Sequence, residues 1–358
     1  MDKRQKIMNL WRQNFHDSEE FIQFYFAHKY NNENALVYEE NGEVLSALLM
    51  LPYPMKWQDT VIQTAYISGA CTQEKARNQG FMTKLLQTAF HQMYKRKIAL
   101  STLIPAENWL FDYYSKLGYV PVFEYSSEEY IPRQTTFSIN KHTRSPQTYD
   151  TALTARLFPF FQQKTAEYPC TIVHTPEDYK AIVEETYLSG GRLIYSQIPA
   201  SGEITGWALA VPSPDKVYLK EILYSTEHEK TTLLETCSKI WPGSSIKYRT
   251  PPQTLYQTPY GMARITHASL LLQHIAINHT HLSLTLKLTD PHIPQNTGIY
   301  FLSHGKCEKV TTCNSPTDIE TDIPTLTQAV LGYRINELPP ALNALSETCF
   351  PYMNLMLD

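Results

Sequence analysis

Ile67-Ser68-Gly69-Ala70-Cys71-Thr72, followed after a short loop by Arg77-Asn78-Gln79-Gly80-Phe81-Met82, is the stretch that decides the fold. The first half closes a strand expected over Val61–Thr72. The second opens a helix in which Phe81, Met82, Leu85, Leu86, Ala89, Phe90 and Met93 share one apolar stripe as far as Lys95. A strand ending in a tight loop at a helix N-terminus points several unpaired backbone N–H groups in one direction. The helix dipole adds partial positive charge there, so the junction favours a pyrophosphate. Gly80 lacks a β-carbon and lets phosphate oxygens approach the backbone. Arg77 supplies a permanent charge and a fork of donors, with Lys75 and Lys84 adding weaker attraction. Gly69, inside a strand, demands a reason.

Working outward toward the N-terminus, Ala35–Glu40 and Glu43–Leu51 read as strands joined by Asn41-Gly42, a pair that accepts the positive φ angles of a two-residue turn. Ahead of them come two helices. One carries Ile7, Leu10, Trp11 and Phe15; the other starts at Asp17 as N-cap, with Glu20 completing a capping box, and runs through Phe21, Ile22, Phe24 and Tyr25. On the other side lie a short strand over Lys97–Ile104 and a helical stripe of Trp109, Leu110, Tyr113, Tyr114 and Leu117, which Gly118 stops. A strand over Tyr119–Tyr125 follows. The order predicts an α/β (α+β) mixed sheet with helices on both faces.

The chain has 358 residues, more than one core accommodates, and 42% of them are hydrophobic. Residues 1–135 read as the first domain, 149–250 as a second α/β unit after a polar linker, and 260–358 as a third. A net charge of -4 argues against a general nucleic-acid binder. The opening residues lack a secretory signal and no apolar run is long enough to span a membrane, so a cytoplasmic location is expected. The six cysteines are scattered without zinc spacing, and His279 and His281, two apart on an expected strand, lack a carboxylate or cysteine to complete a metal set. No metal is expected.

The junction at Arg77–Met82 resembles the signature [Arg/Gln]-x-x-Gly-x-[Gly/Ala] of the GNAT acetyltransferase superfamily. It matches at Arg77 and Gly80 and departs at Met82, where Gly or Ala is usual. The resemblance implies a GNAT fold that uses acetyl-CoA as cosubstrate. Backbone groups of Ala70, Cys71 and Thr72 would pair with the pantetheine arm, and those of Asn78, Gln79, Gly80, Phe81 and Met82 would hold the pyrophosphate. It also implies two central strands that splay apart, with the thioester in the gap.

Acyl transfer from a thioester to an amine raises two proton problems. An ammonium must lose a proton before it attacks, and the departing thiolate gains from a donor near the sulfur. A phenol, with a pKa near 10, is a sensible donor. Tyr113-Tyr114-Ser115-Lys116-Leu117-Gly118-Tyr119 resembles the Tyr-x-x-x-Gly-[Tyr/Phe] element of these enzymes, which makes Tyr114 the general acid by the match and Tyr113 the fallback. A tyrosine on an apolar helical stripe is also ordinary core material, and the chain has 24 of them.

The three-part layout is similar to the Eis-like acetyltransferases: an active GNAT domain, a degenerate second GNAT-like domain, and a C-terminal domain similar to sterol carrier proteins. In the middle segment, Ser225-Thr226-Glu227-His228-Glu229-Lys230 stands where the phosphate loop would be. It has no glycine, and its acidic groups would repel phosphate. In that family the terminal carboxylate serves as base, which implies the role for Asp358; the apolar tail before it could equally dock on its own domain. Phe21, Phe24 and Tyr25 are candidates for an acceptor pocket, with simple core packing as the other reading. The expectation is an N-acetyltransferase acting on a small-molecule or peptide amine, as a homo-oligomer by analogy. The rival is a non-catalytic acyl-CoA-sensing or lipid-binding protein.

Overall fold

A computed structural model describes residues 1–132, 142–252, 257–310 and 316–357. They fall into two units, one of Met1–Phe123 with Pro259–Pro351, the other of Glu124–Thr258 with Tyr352–Leu357.

The first unit begins with helices α1 (Lys3–Asn14) and α2 (Glu19–Lys29). Ser18, one residue beyond the expected position, caps α2: its Oγ accepts from Phe21 N at 3.1 Å. Asp17 is used otherwise, accepting from Trp11 Nε1 at 2.7 Å, so the expected capping box is replaced by a tie between α1 and the turn before α2. Strands β1 (Ala35–Glu40) and β2 (Glu43–Pro52) form the predicted hairpin, with Asn41 and Gly42 both at positive φ. The expected single strand over Val61–Thr72 is broken. A small hairpin of β3 (Met55–Trp57) and β4 (Thr60–Ile62) turns at Gln58, also at positive φ, before β5 (Thr64–Thr72) begins.

Helix α3 (Phe81–Lys95), strand β6 (Leu100–Leu103) and helix α4 (Asn108–Ser115) follow, and β7 (Val120–Tyr130) carries the chain out of this unit. The stripe of α3 buries Leu85, Leu86, Ala89, Phe90 and Met93 beside Leu48, Ile67, Leu103, Tyr114 and Tyr119. Apolar periodicity decides which face of α3 goes down, and burial of that face supplies most of the helix's stability.

The second unit contains β8 (Thr143–Arg144), α5 (Thr151–Thr165), β9 (Cys170–Ile172), α6 (Pro176–Leu188), β10 (Arg192–Gln197), β11 (Ile204–Pro212), β12 (Lys216–Tyr224), α7 (Glu227–Ile240) and β13 (Ser245–Thr250). Its strands run in the order β7-β13-β12-β11-β10-β8. Here β10, β11 and β12 form an antiparallel meander, and α7 leads to β13, which runs parallel to β12. That repeats the scheme of β1, β2, β5, α3 and β6, where β5 and β6 are parallel.

The chain then returns to the first unit. Strand β14 (Thr258–Ile265) lies antiparallel to β6, pairing Arg264 with Ser101, and gives the order β1-β2-β5-β6-β14. Beyond it lie α8 (Ala268–Asn278), β15 (Ser283–Thr289), β16 (Gly298–Ser303), β17 (Lys306–Val310), β18 (Ile319–Asp322) and α9 (Ile323–Val330). These strands form a separate sheet, β17-β16-β15-β18. His279 closes the end of α8 and is not on a strand, and its ring lies 6.1 Å from that of His281. No helix of the described residues is long and apolar enough to cross a membrane. Among those residues no group of three or more His, Cys, Asp or Glu is placed to hold a metal ion.

Candidate active site

Six helices begin at a Ser, Thr or Asp whose side chain accepts from the first turn: α1, α2, α5, α6, α7 and α9. Helix α3 does not. Its N-cap is Gly80, at φ 78°, with no side-chain cap and no acidic residue in the first turn. The leading N–H groups of α3 are therefore left for something other than a side chain. A β-carbon added at Gly80 would meet nothing within 4 Å, so the space above these donors is open. Asn78 is also left-handed, at φ 63°, which folds the loop back over the helix end.

That open space belongs to a cavity of about 400 Å³. Of the sequence candidates, Ala70, Cys71, Thr72, Arg77, Asn78, Gly80, Phe81, Met82 and Tyr114 line it. Gln79 does not; its amide donates to Lys75 O at 3.2 Å. Phe21, Phe24 and Tyr25 are not on the cavity wall. Tyr25 is fully buried, with its hydroxyl 2.6 Å from Ser68 Oγ. Asp358 lies outside the described residues. The tail before it, Tyr352–Leu357, is buried within the second unit, where Tyr352 N donates to Cys170 O at 2.9 Å.

Pairing between two strands stops near the cavity. Strands β5 and β6 pair only over Thr64–Tyr66 and Leu100–Thr102, after which β5 runs on to Thr72. The pairing of β2 with β5 also shifts register between Ala47 and Leu49, opposite Gly69. On the far side, β5 is held by Ser46, whose Oγ donates to Cys71 O at 3.1 Å and meets Thr72 Oγ1 at 2.8 Å. One edge of Ala70–Thr72 is thus fixed, while the other faces the gap.

Tyr114 lines the same cavity. Burial pushes its phenol well above the ordinary range, and neighbouring Tyr113 adds to the shift, so it keeps its proton at any physiological pH. Tyr113 is also raised by burial, and its hydroxyl lies 3.1 Å from Thr83 Oγ1. The Cys71 thiol is pushed up to about 12 by burial, only partly offset by Arg77, so it is not a thiolate nucleophile. Arg77 reaches back to Asn14, donating to Oδ1 at 3.0 Å. Lys75 is held by Glu43 at 2.8 Å, and Lys84 sits 5.6 Å from the ring centres of Tyr38 and Phe81. Met82 lines the cavity and also packs on the core cluster under α3.

Several cavity residues were not legible in the sequence. Asn14 and Phe15 arrive from the end of α1, and Thr83 from the first turn of α3. Trp109 reads as part of a buried stripe, yet it is 60% exposed at the cavity wall, with Nε1 donating to Glu107 Oε2 at 2.8 Å. The counterpart junction in the second unit is built differently. Thr226 caps α7 by accepting from Glu229 N at 3.3 Å, and Glu227 and Glu229 occupy the first turn.

A parallel strand pair, a strand–loop–helix junction with an uncapped helix and a tyrosine on the adjoining cavity wall fit the GNAT class of acetyltransferase domain. Residues 1–122 match the model of the acetyltransferase (GNAT) domain, and residues 269–339 match that of the sterol carrier protein domain. The chain therefore carries a GNAT N-acetyltransferase domain joined to a sterol carrier protein domain. Solved structures share this fold over nearly the full length. A conserved protein from Enterococcus faecalis V583, described as a probable N-acyltransferase, is 15% identical with a TM-score of 0.76, covering 98% of this chain and 96% of that one. A GCN5-related N-acetyltransferase from Kribbella flavida is 16% identical with a TM-score of 0.71, covering 99% and 95%. Eis1 from Mycobacterium abscessus has the same score at 10% identity, covering 98% and 96%. No curated protein matches the chain.

Proposed function

We propose that this protein moves an acetyl group from acetyl-CoA to a primary amine by direct attack, with no acyl-enzyme. The observation that carries the reading is the uncapped start of α3 at Gly80, opening on a cavity that Tyr114 also lines. The N–H groups of Asn78 to Met82 suit a diphosphate in charge and direction. Thioester chemistry comes from the cosubstrate; the chain supplies position, oxyanion donors and protons. The free edge of Ala70–Thr72 aligns the pantetheine arm and directs backbone donors near Cys71 and Thr72 at the developing oxyanion, a contribution of about 3 kcal/mol. As the amine nitrogen bonds to the carbonyl carbon and the carbon–sulfur bond breaks, Tyr114 gives its phenolic proton to the leaving sulfur. The amine's surplus proton passes to a carboxylate. Resemblance to Eis-like enzymes assigns that base to Asp358.

Thiol release measured with acetyl-CoA against a panel of amines tests the reading. Turnover with at least one amine is expected. Binding of CoA without turnover of any acceptor would overturn it in favour of an acyl-CoA sensor.

A further inference from the structure

Arg264 is a fully buried arginine on β14, 0% exposed, and its partner Asp290 is 1% exposed. Buried ion pairs are weak contributors to stability, because desolvation offsets most of the attraction. The contacts of this pair point to another role. Arg264 Nη2 donates to both oxygens of Asp290, at 2.9 and 2.7 Å. Asp290 also accepts from His292 N, Ile293 N and Asn296 Nδ2, each at 3.0 Å, so it is held rigidly. The other arm, Nη1, donates to Leu117 O, and the guanidinium carbon lies 4.3 Å from the centre of the Phe90 ring.

Leu117 O is a terminal carbonyl of the segment that carries Tyr114. Leu117 N donates to Tyr114 O at 2.9 Å, one turn earlier. The neighbouring carbonyl, Lys116 O, accepts from His292 Nε2 at 2.9 Å. Gly118 leaves the room that this needs, since a β-carbon there would stand 3.2 Å from Arg264 Nη1. The end of α4 is thus gripped by residues about 150 and 180 positions later in the chain, from β14 and from the loop after β15. A cation at a helix C-terminus also suits the dipole.

We propose that Arg264, anchored by Asp290 and assisted by His292, is a positioning residue that sets the place of the Tyr114 hydroxyl in the cavity. The inference rests on the assignment of Tyr114 as the proton donor. The loop of the sterol-carrier segment is then part of the acetyltransferase machinery and not an appended module.

Arg264→Lys tests it. The ammonium keeps the charge opposite Asp290 but cannot bond Asp290 and Leu117 O with a rigid fork. We expect kcat to fall about 10- to 100-fold, as for a catalytic group displaced by about 1 Å, with CoA affinity within about twofold of wild type. In a Tyr114→Phe background the same substitution should cost nothing further, because both changes act on one proton transfer. A second probe avoids the buried charge: His292→Leu should lower kcat several-fold, and His292→Gln, which keeps a donor, should recover it. An unchanged kcat in folded Arg264→Lys, or an undiminished effect in the Tyr114→Phe background, overturns the proposal. Failure of Tyr114→Phe itself to slow turnover would instead strike the proton-donor assignment.

Discussion

The indole of Trp11 fills the space above Gly69. A β-carbon at position 69 would stand 2.2 Å from Trp11 Cζ3, and the glycine's φ is +58°. This supplies the reason that a glycine inside a strand demands. The backbone turns left-handed where β5 leaves its ordinary register, and α1 packs straight onto it. Gly69→Ala should therefore destabilise the first unit by about 2–4 kcal/mol, combining overpacking with left-handed strain. Denaturant titration checks this; a loss below about 1 kcal/mol would contradict the packing.

Gly80 has the same backbone hand and the opposite surroundings. Its added β-carbon meets open space, so Gly80→Ala should cost about 1–2 kcal/mol of left-handed strain and no steric clash. CoA affinity should nonetheless drop at least about tenfold, because the methyl group would stand beside the donors proposed to hold the diphosphate. Calorimetric titration with CoA reads this directly.

Tyr114→Phe removes the proposed acid while keeping the ring that packs against Tyr113 and Tyr119. The expected result is a fall in kcat of about 10²- to 10³-fold with little change in CoA affinity. Since burial raises the phenol above its ordinary value, Tyr114 should impose no alkaline limb on the wild-type rate below about pH 10. A steady-state pH profile shows whether one appears.

Glu221 in the second unit is fully buried, and its carboxyl is pushed up to about 7 by that burial. Hydrogen bonds from Ile222 N at 3.1 Å and Tyr352 Oη at 3.3 Å offset only part of the shift. For an acid whose folded pKa is raised, the folded state holds the proton more tightly than the unfolded one. The associated stability is full below about pH 4.5 and is lost as pH rises through 7. Glu221→Gln should therefore stabilise the protein at pH 8, by on the order of 2 kcal/mol, and bring little or no gain at pH 4.5. Thermal melts of both proteins at the two pH values decide it.

Much of the first unit was legible from local chemistry. The stripe of α3 gives the helix and its buried face, Asn41-Gly42 gives the hairpin, and Gly80 after Arg77 marks the bare helix start, because each depends on residues within a turn or two. The capping of α2 by Ser18 instead of Asp17 shows the limit: Trp11, on another helix, takes the Asp17 carboxylate. The β3–β4 hairpin was hidden because three-residue strands show no measurable alternation.

Residue order alone determined most of the helices and strands, the bare start of α3 at Gly80, and the absence of glycine from the junction at Thr226. Only the tertiary structure decided that β14 returns from far along the chain to lie beside β6, that Trp11 covers Gly69, and that Arg264 and His292 hold the end of the Tyr114 helix. Caps, turns and periodicity are written into neighbouring residues. A partner some 150 positions away is selected by shape and charge once the chain has packed, and no short window of sequence carries that information.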